Sequence, residues 1–161
     1  MVGVRLVIML LVLGLSSSLA ATAKDDLIWL PLSEGTAKAK AEKKPMLVDF
    51  FYGTGCPRCE ALEKEGYKSE AIIQRITAGF IPIRVDLTKQ LTKEEEILGE
   101  KYNYKEECLL LFLDSEGVIM TDSEGENLRF TSAIESEMLL RYLDMAKDKQ
   151  RVRPSKVNGA L

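Results

Sequence analysis

Histidine is absent from all 161 residues. That absence rules out a His-ligated zinc site, a Ser-His-Asp triad and a Cys-His dyad. Reactive groups must come from cysteine, carboxylates or lysine. Cysteine is itself scarce, with three residues, and a basic excess is lacking: 22 Lys and Arg stand against 25 Asp and Glu. No Lys/Arg cluster is interleaved with aromatics, so the electrostatic footprint of a nucleic-acid-binding protein is missing. Repeats at solenoid spacing and low-complexity segments are missing too. What remains, 46% apolar and 29% charged, is the balance of one ordinary globular domain.

Long apolar runs are also lacking, apart from one near the N-terminus. Arg5 is the only charge before Lys24, Leu6 to Leu15 is apolar except for Gly14, and small residues follow from Ser16 to Ala23. This pattern predicts a secretory signal peptide over residues 1–23, cleaved after Ala20 or Ala23. The run falls short of the ~20 residues a membrane span needs, and an uncleaved anchor is the competing reading. No cysteine follows it that could carry a lipid. Export would place the cysteines where disulfides form and persist, in a periplasm first, or else outside the cell or in a secretory-pathway lumen. Residues 24–148 then read as one domain and 149–161 as a C-terminal tail.

Within that domain the periodicity predicts alternating elements. Leu27 to Leu30 is a short apolar run stopped by Pro31, a candidate strand, and Ser33 opens an Ala/Lys/Glu-rich helix to Lys44. Met46 to Tyr52 is nearly continuously apolar, as in a strand covered on both faces. A helical pattern from Pro57 to Ile76 has a break expected at Gly66, and Phe80 to Val85 forms a further strand around Pro82. Thr92 with Glu95 makes a capping-box pattern for a helix to about Lys101, whose Glu94–Glu96 run reads as a solvated face. Cys108 to Leu113 is a strand, Asp114 to Gly117 a turn, and Val118 to Thr121 its hairpin partner. Ser132 with Glu135 caps a last helix. The order implies an α/β, thioredoxin-like architecture: a central mixed sheet of parallel strands plus a C-terminal hairpin, flanked by helices on both faces.

The chemistry converges on Cys56-Pro57-Arg58-Cys59, between a buried strand and a helix. The first thiol of such a pair sits at a helix N-terminus, where free N–H groups favour the thiolate, so Cys56 is the candidate nucleophile. Two intervening residues let Cys59 reach it, as the resolving thiol. Pro57 suits a first helical turn. Arg58 either lowers the thiolate pKa as a fixed charge beside the pair or is simply solvated. A lone Cys-x-x-Cys also fits half a zinc site or a structural disulfide, though a zinc ribbon would need a second pair.

Lys44 to Phe51, the cysteine pair, Glu63, Glu70-Ala71-Ile72 and Phe112 to Gly117 together resemble the periplasmic thioredoxin-like domains of the DsbD C-terminal type. The resemblance implies a thiol:disulfide interchange protein with thiol- or disulfide-bearing clients, supplied with electrons by a membrane partner where it acts as a reductant. It also implies that Asp49, on the strand before the motif, moves the proton of the buried cysteine; a structural, hydrogen-bonded carboxylate is the alternative. There are two departures. Gly55 stands where the family commonly has Trp, and with Gly53 it makes the approach loop more permissive in φ/ψ. Cys108 falls where the family carries a cis-proline beside the disulfide, and without proline the Glu107–Cys108 bond is expected to be trans.

Cys108 therefore has three readings: an additional resolving thiol, a soft ligand that with Cys56 and Cys59 would hold Cu(I), or a small buried hydrophobe. Tyr102 and Tyr104 flank its loop as a client-binding face or as packing. The leading function is an exported thiol–disulfide oxidoreductase of open direction, using Cys56, Cys59 and Asp49 and needing no cofactor. The alternatives are a Cu(I)-handling protein and a redox-inert interaction domain.

Overall fold

The computed structural model describes residues 26–104 and 108–152. The expected signal peptide, the Glu107–Cys108 bond and most of the expected tail lie outside these residues. Five α-helices and four strands are found among them: α1 (Leu32–Glu42), β1 (Met46–Phe51), α2 (Pro57–Ala61), α3 (Glu70–Gly79), β2 (Ile81–Asp86), α4 (Lys93–Lys101), β3 (Leu109–Leu113), β4 (Arg129–Phe130) and α5 (Ser136–Val152). A π-helical turn, Leu62–Gly66, joins α2 towards α3. None of these helices is long and apolar enough to cross a membrane.

The sheet runs β2-β1-β3-β4. β1 is parallel to β2 and antiparallel to β3, and β3 is antiparallel to β4. Its central place explains why β1 is apolar almost throughout: both faces must be covered. Met46, Val48 and Phe50 join Ile81, Ile83 and Val85 of β2 and Leu109, Leu111 and Leu113 of β3 in a layer under α1 and α4. Leu47, Leu110 and Phe112 enter the opposite layer with Leu62, Ile72, Ile76, Leu139 and Leu143. Each such side chain contributes about 1.5–3 kcal/mol by leaving water. Strand alternation dictates that Asp49, two residues after Leu47, faces the second layer. On the first face Gly35 lets α1 lie close against β2, since a Cβ there would sit 2.3 Å from Ile83 Cγ1.

Several elements differ from the expectations. Leu27 to Leu30 is not a strand; Leu30 makes one bridge to Ile83, with Leu30 N–H donating to Pro82 O at 3.0 Å. Pro31 has no N–H with which to extend the ladder. The Pro57–Ile76 helix is interrupted by the π-helical turn, which ends at the expected Gly66. Val118 to Thr121 supplies only isolated bridges, Leu113 to Ile119 and Thr121 to Asn127, and the regular strand beside β3 is Arg129–Phe130. The cause is a second turn, Asp122 to Gly125, built like Asp114 to Gly117 from the same Asp-Ser-Glu-Gly tetrapeptide. Asp114 Oδ1 accepts the N–H groups of Glu116 and Val118, and Asp122 Oδ1 those of Glu124 and Glu126, all at 2.9 Å. The last helix starts at Ser136, not after Ser132, and runs to Val152, past the expected domain end at residue 148. Thr92 and Glu95 do form the capping box of α4.

Candidate functional site

The site assembles where β1 ends. Gly53 (φ 79°) and Gly55 (φ 91°) carry the chain through left-handed backbone, a turn that a Trp at position 55 would strain. Cys56 follows in extended conformation as the residue capping α2, and Pro57 occupies the first turn. The Cys59 N–H donates to Cys56 Sγ at 3.2 Å. Because α2 has five residues, its dipole is small and this local donor does most to favour a thiolate at Cys56. Cys56 is half-buried, whereas Cys59 is fully buried and accepts the Tyr52 N–H at 3.5 Å. The Gly55 N–H donates to Glu60 Oε1 at 3.1 Å, tying the approach loop to the helix.

Cys108 immediately precedes β3, whose Leu109 pairs with Phe50 of β1. The register brings it beside the approach loop, and the three sulfur atoms lie within 4.8 Å of one another. Cys108 Sγ is in bonding contact with the sulfurs of both Cys56 and Cys59. One sulfur forms one disulfide at a time, so Cys108 can pair with only one of them. Cys108 is buried, as the small-hydrophobe reading expects, but its surroundings include two thiols. Tyr104 stacks on Phe50 and Tyr102 is buried in the layer under α4, so both tyrosines pack. Glu94 and Glu96 are exposed.

Asp49 is wholly buried. Its Oδ2 accepts the Tyr67 hydroxyl at 3.0 Å and lies 3.7 Å from Arg84 Nη2, and its Oδ1 lies 3.7 Å from Arg58 Nη1. Of the two readings of Arg58, the solvated one is therefore excluded. Arg58 is 7% exposed, turned inward, with Nε donating to Ser132 O at 3.2 Å. The segment before α5 thus supplies a carbonyl to a buried guanidinium. Arg84 is held over the rings of Trp29 (4.1 Å) and Phe51 (4.0 Å) and donates to Glu63 at 3.0 Å. Burial pushes Asp49 above the usual carboxylate range, against the pull of Arg58, Arg84 and the Tyr67 hydrogen bond. Burial and the neighbouring carboxylate push the Tyr67 phenol well above its ordinary value. Sequence reasoning missed Tyr67 and Arg84. The signal for Arg84 was the alternation Ile81, Ile83, Val85 in β2, which places it across the ladder from Asp49.

The profile of the thioredoxin-like family matches residues 28–114, more than half of the chain. A search of curated protein sequences finds no match. Among solved structures the chain is similar to a thioredoxin from Thermus thermophilus, with 20% identity over 74% of this chain and 86% of that one and a TM-score of 0.56. It is similar to a putative disulphide-isomerase from Bacteroides thetaiotaomicron, with 26% identity over 76% and 93% and a TM-score of 0.54. The DsbD C-terminal domain of Neisseria meningitidis in its oxidised form aligns with 16% identity over 70% and 89%, with a TM-score of 0.52. The profile match, the sheet order and the Cys-x-x-Cys pair after β1 agree: this chain belongs to the thioredoxin-like family.

Proposed function

We propose that this protein is an exported thiol–disulfide oxidoreductase that exchanges disulfides with client proteins through Cys56. The observation that carries the reading is the asymmetry of the pair: Cys56 is half-buried and faces a backbone N–H donor at 3.2 Å, while Cys59 is fully buried behind it. Cys56 thiolate attacks a client disulfide, forming a mixed disulfide and releasing one client thiolate. Cys59 thiolate then attacks Cys56 Sγ and expels the second, leaving a Cys56–Cys59 disulfide. The same steps in reverse oxidise a client. Asp49 takes the Cys59 proton; its pKa, raised by burial, supports that role. No cofactor is needed. The DsbD-like stretches and the N-terminal segment support a periplasmic setting, with electrons arriving from a membrane partner when clients are reduced.

A client-trapping experiment tests the mechanism. Because Cys108 Sγ also lies close to Cys56 Sγ, the trap is the Cys59→Ser/Cys108→Ser double variant, incubated with insulin. A dithiothreitol-sensitive adduct on Cys56 is expected, and the absence of any trapped species would sink the reading. The convergence of three sulfurs without histidine favours one second reading, Cu(I) held by Cys56, Cys59 and Cys108 in the reduced protein. Competition between the reduced protein and a Cu(I) chelator, with Cys108→Ala lowering the affinity, would support it.

A further inference from the structure

Resting on that reading, the geometry points to a third-thiol relay: we infer that Cys108 rearranges the oxidised protein to a Cys59–Cys108 disulfide. Cys56 is thereby returned as a free nucleophile able to shuffle client disulfides without net electron transfer. The step balances internally. Cys108 thiolate attacks Cys59 Sγ of the Cys56–Cys59 disulfide, the Cys59–Cys108 bond forms as the Cys56–Cys59 bond breaks, and the electron pair leaves on Cys56 as thiolate. No oxidant or reductant enters. The proton first lost by Cys108 is recovered by protonation of a thiolate.

Three observations select this direction. The attacking thiol is in place, since the three sulfur atoms lie within 4.8 Å of one another. The Cα atoms of Cys59 and Cys108 are 6.9 Å apart, against 7.7 Å for Cys56 and Cys108. Disulfides span up to about 7 Å between Cα atoms before the backbone must move, so the buried pair, Cys59 with Cys108, is the accessible alternative. The leaving group is also the favoured one: Cys56 Sγ already faces the Cys59 N–H donor, which stabilises it as a thiolate. Cys59 and Cys108 are both buried and Cys56 is half-buried, so rearrangement moves the disulfide inward and leaves the free sulfur towards the client.

A mixed disulfide made by this form can be resolved by the client's own second thiol, which returns Cys56 unchanged and the client with a new pairing. The protein then acts as an isomerase in its oxidised state, where a plain dithiol site would have no free nucleophile.

Three cysteines with one disulfide leave one thiol, and its identity is the test. The oxidised full chain is labelled with iodoacetamide under native conditions, without reductant, and mapped by mass spectrometry. Label chiefly on Cys56 with a Cys59–Cys108 crosslink is expected. Label confined to Cys108, or appearing only on denaturation with Cys56 linked to Cys59, overturns the relay while leaving the exchange mechanism standing. Label on all three cysteines would instead remove the disulfide that the proposed function requires. Reactivation of scrambled ribonuclease by the oxidised protein is expected to be lost in both Cys108→Ala and Cys108→Ser, while both keep insulin reduction; undiminished reactivation in either variant contradicts the relay.

Discussion

Arg58→Met removes one of the two guanidinium groups that face Asp49 and leaves a side chain of similar reach. A unit charge pair at 3.7 Å is worth about 4 kcal/mol before desolvation at an effective dielectric of about 20. Removing one partner of a buried pair costs up to about 3–5 kcal/mol when the other charge is stranded. Here Asp49 keeps Arg84 and the Tyr67 hydrogen bond, and the burial cost of Arg58 itself is relieved, so about 2–3 kcal/mol is expected at pH 7.5. The loss depends on pH with a definite sign. The folded-state pKa of Asp49 is raised, so its contribution is fully present below the unfolded value of about 3.9 and is lost as pH rises through the folded value. Without Arg58 that folded value rises further and the loss deepens. Urea unfolding of both proteins, in one fixed redox state, is expected to show the full deficit at pH 7.5. At acid pH, where Asp49 is protonated, the deficit shrinks to about 1 kcal/mol, the share of the lost hydrogen bond to Ser132. An equal deficit at both pH values, or none at pH 7.5, would refute the buried ion pair.

Two backbone positions give further tests by thermal or urea unfolding. Gly35→Ala is expected to cost about 1–3 kcal/mol, because its Cβ would meet Ile83 Cγ1 at 2.3 Å and push α1 off β2; an unchanged midpoint would show that α1 packs elsewhere. Gly55→Ala meets nothing within 4 Å, yet its φ of 91° should cost about 1 kcal/mol. A neutral or stabilising result would mean that the approach loop does not hold this conformation.

The elements that repeat a strong local signal were legible. β1 announces itself by a continuous apolar run, α4 by its capping box, and the site by a Cys-x-x-Cys pair after a buried strand. What escaped depends on partners distant in sequence. Nothing local says that Arg58 turns inward, since its orientation is set by Asp49 nine residues earlier and by Ser132 far downstream. The Asp122–Gly125 turn was legible and overlooked, as it repeats the tetrapeptide of the preceding turn. Cys108 was placed near the pair only through a family resemblance, and the sheet register supplies the physical reason, with Leu109 opposite Phe50.

The central claim, that Cys56 exchanges disulfides with clients, is tested most directly by dithiothreitol-driven insulin reduction followed as turbidity. The account predicts that the wild-type protein and Cys108→Ser accelerate precipitation, while Cys56→Ser matches dithiothreitol alone. Equal acceleration by Cys56→Ser, or none by the wild-type protein, would contradict it.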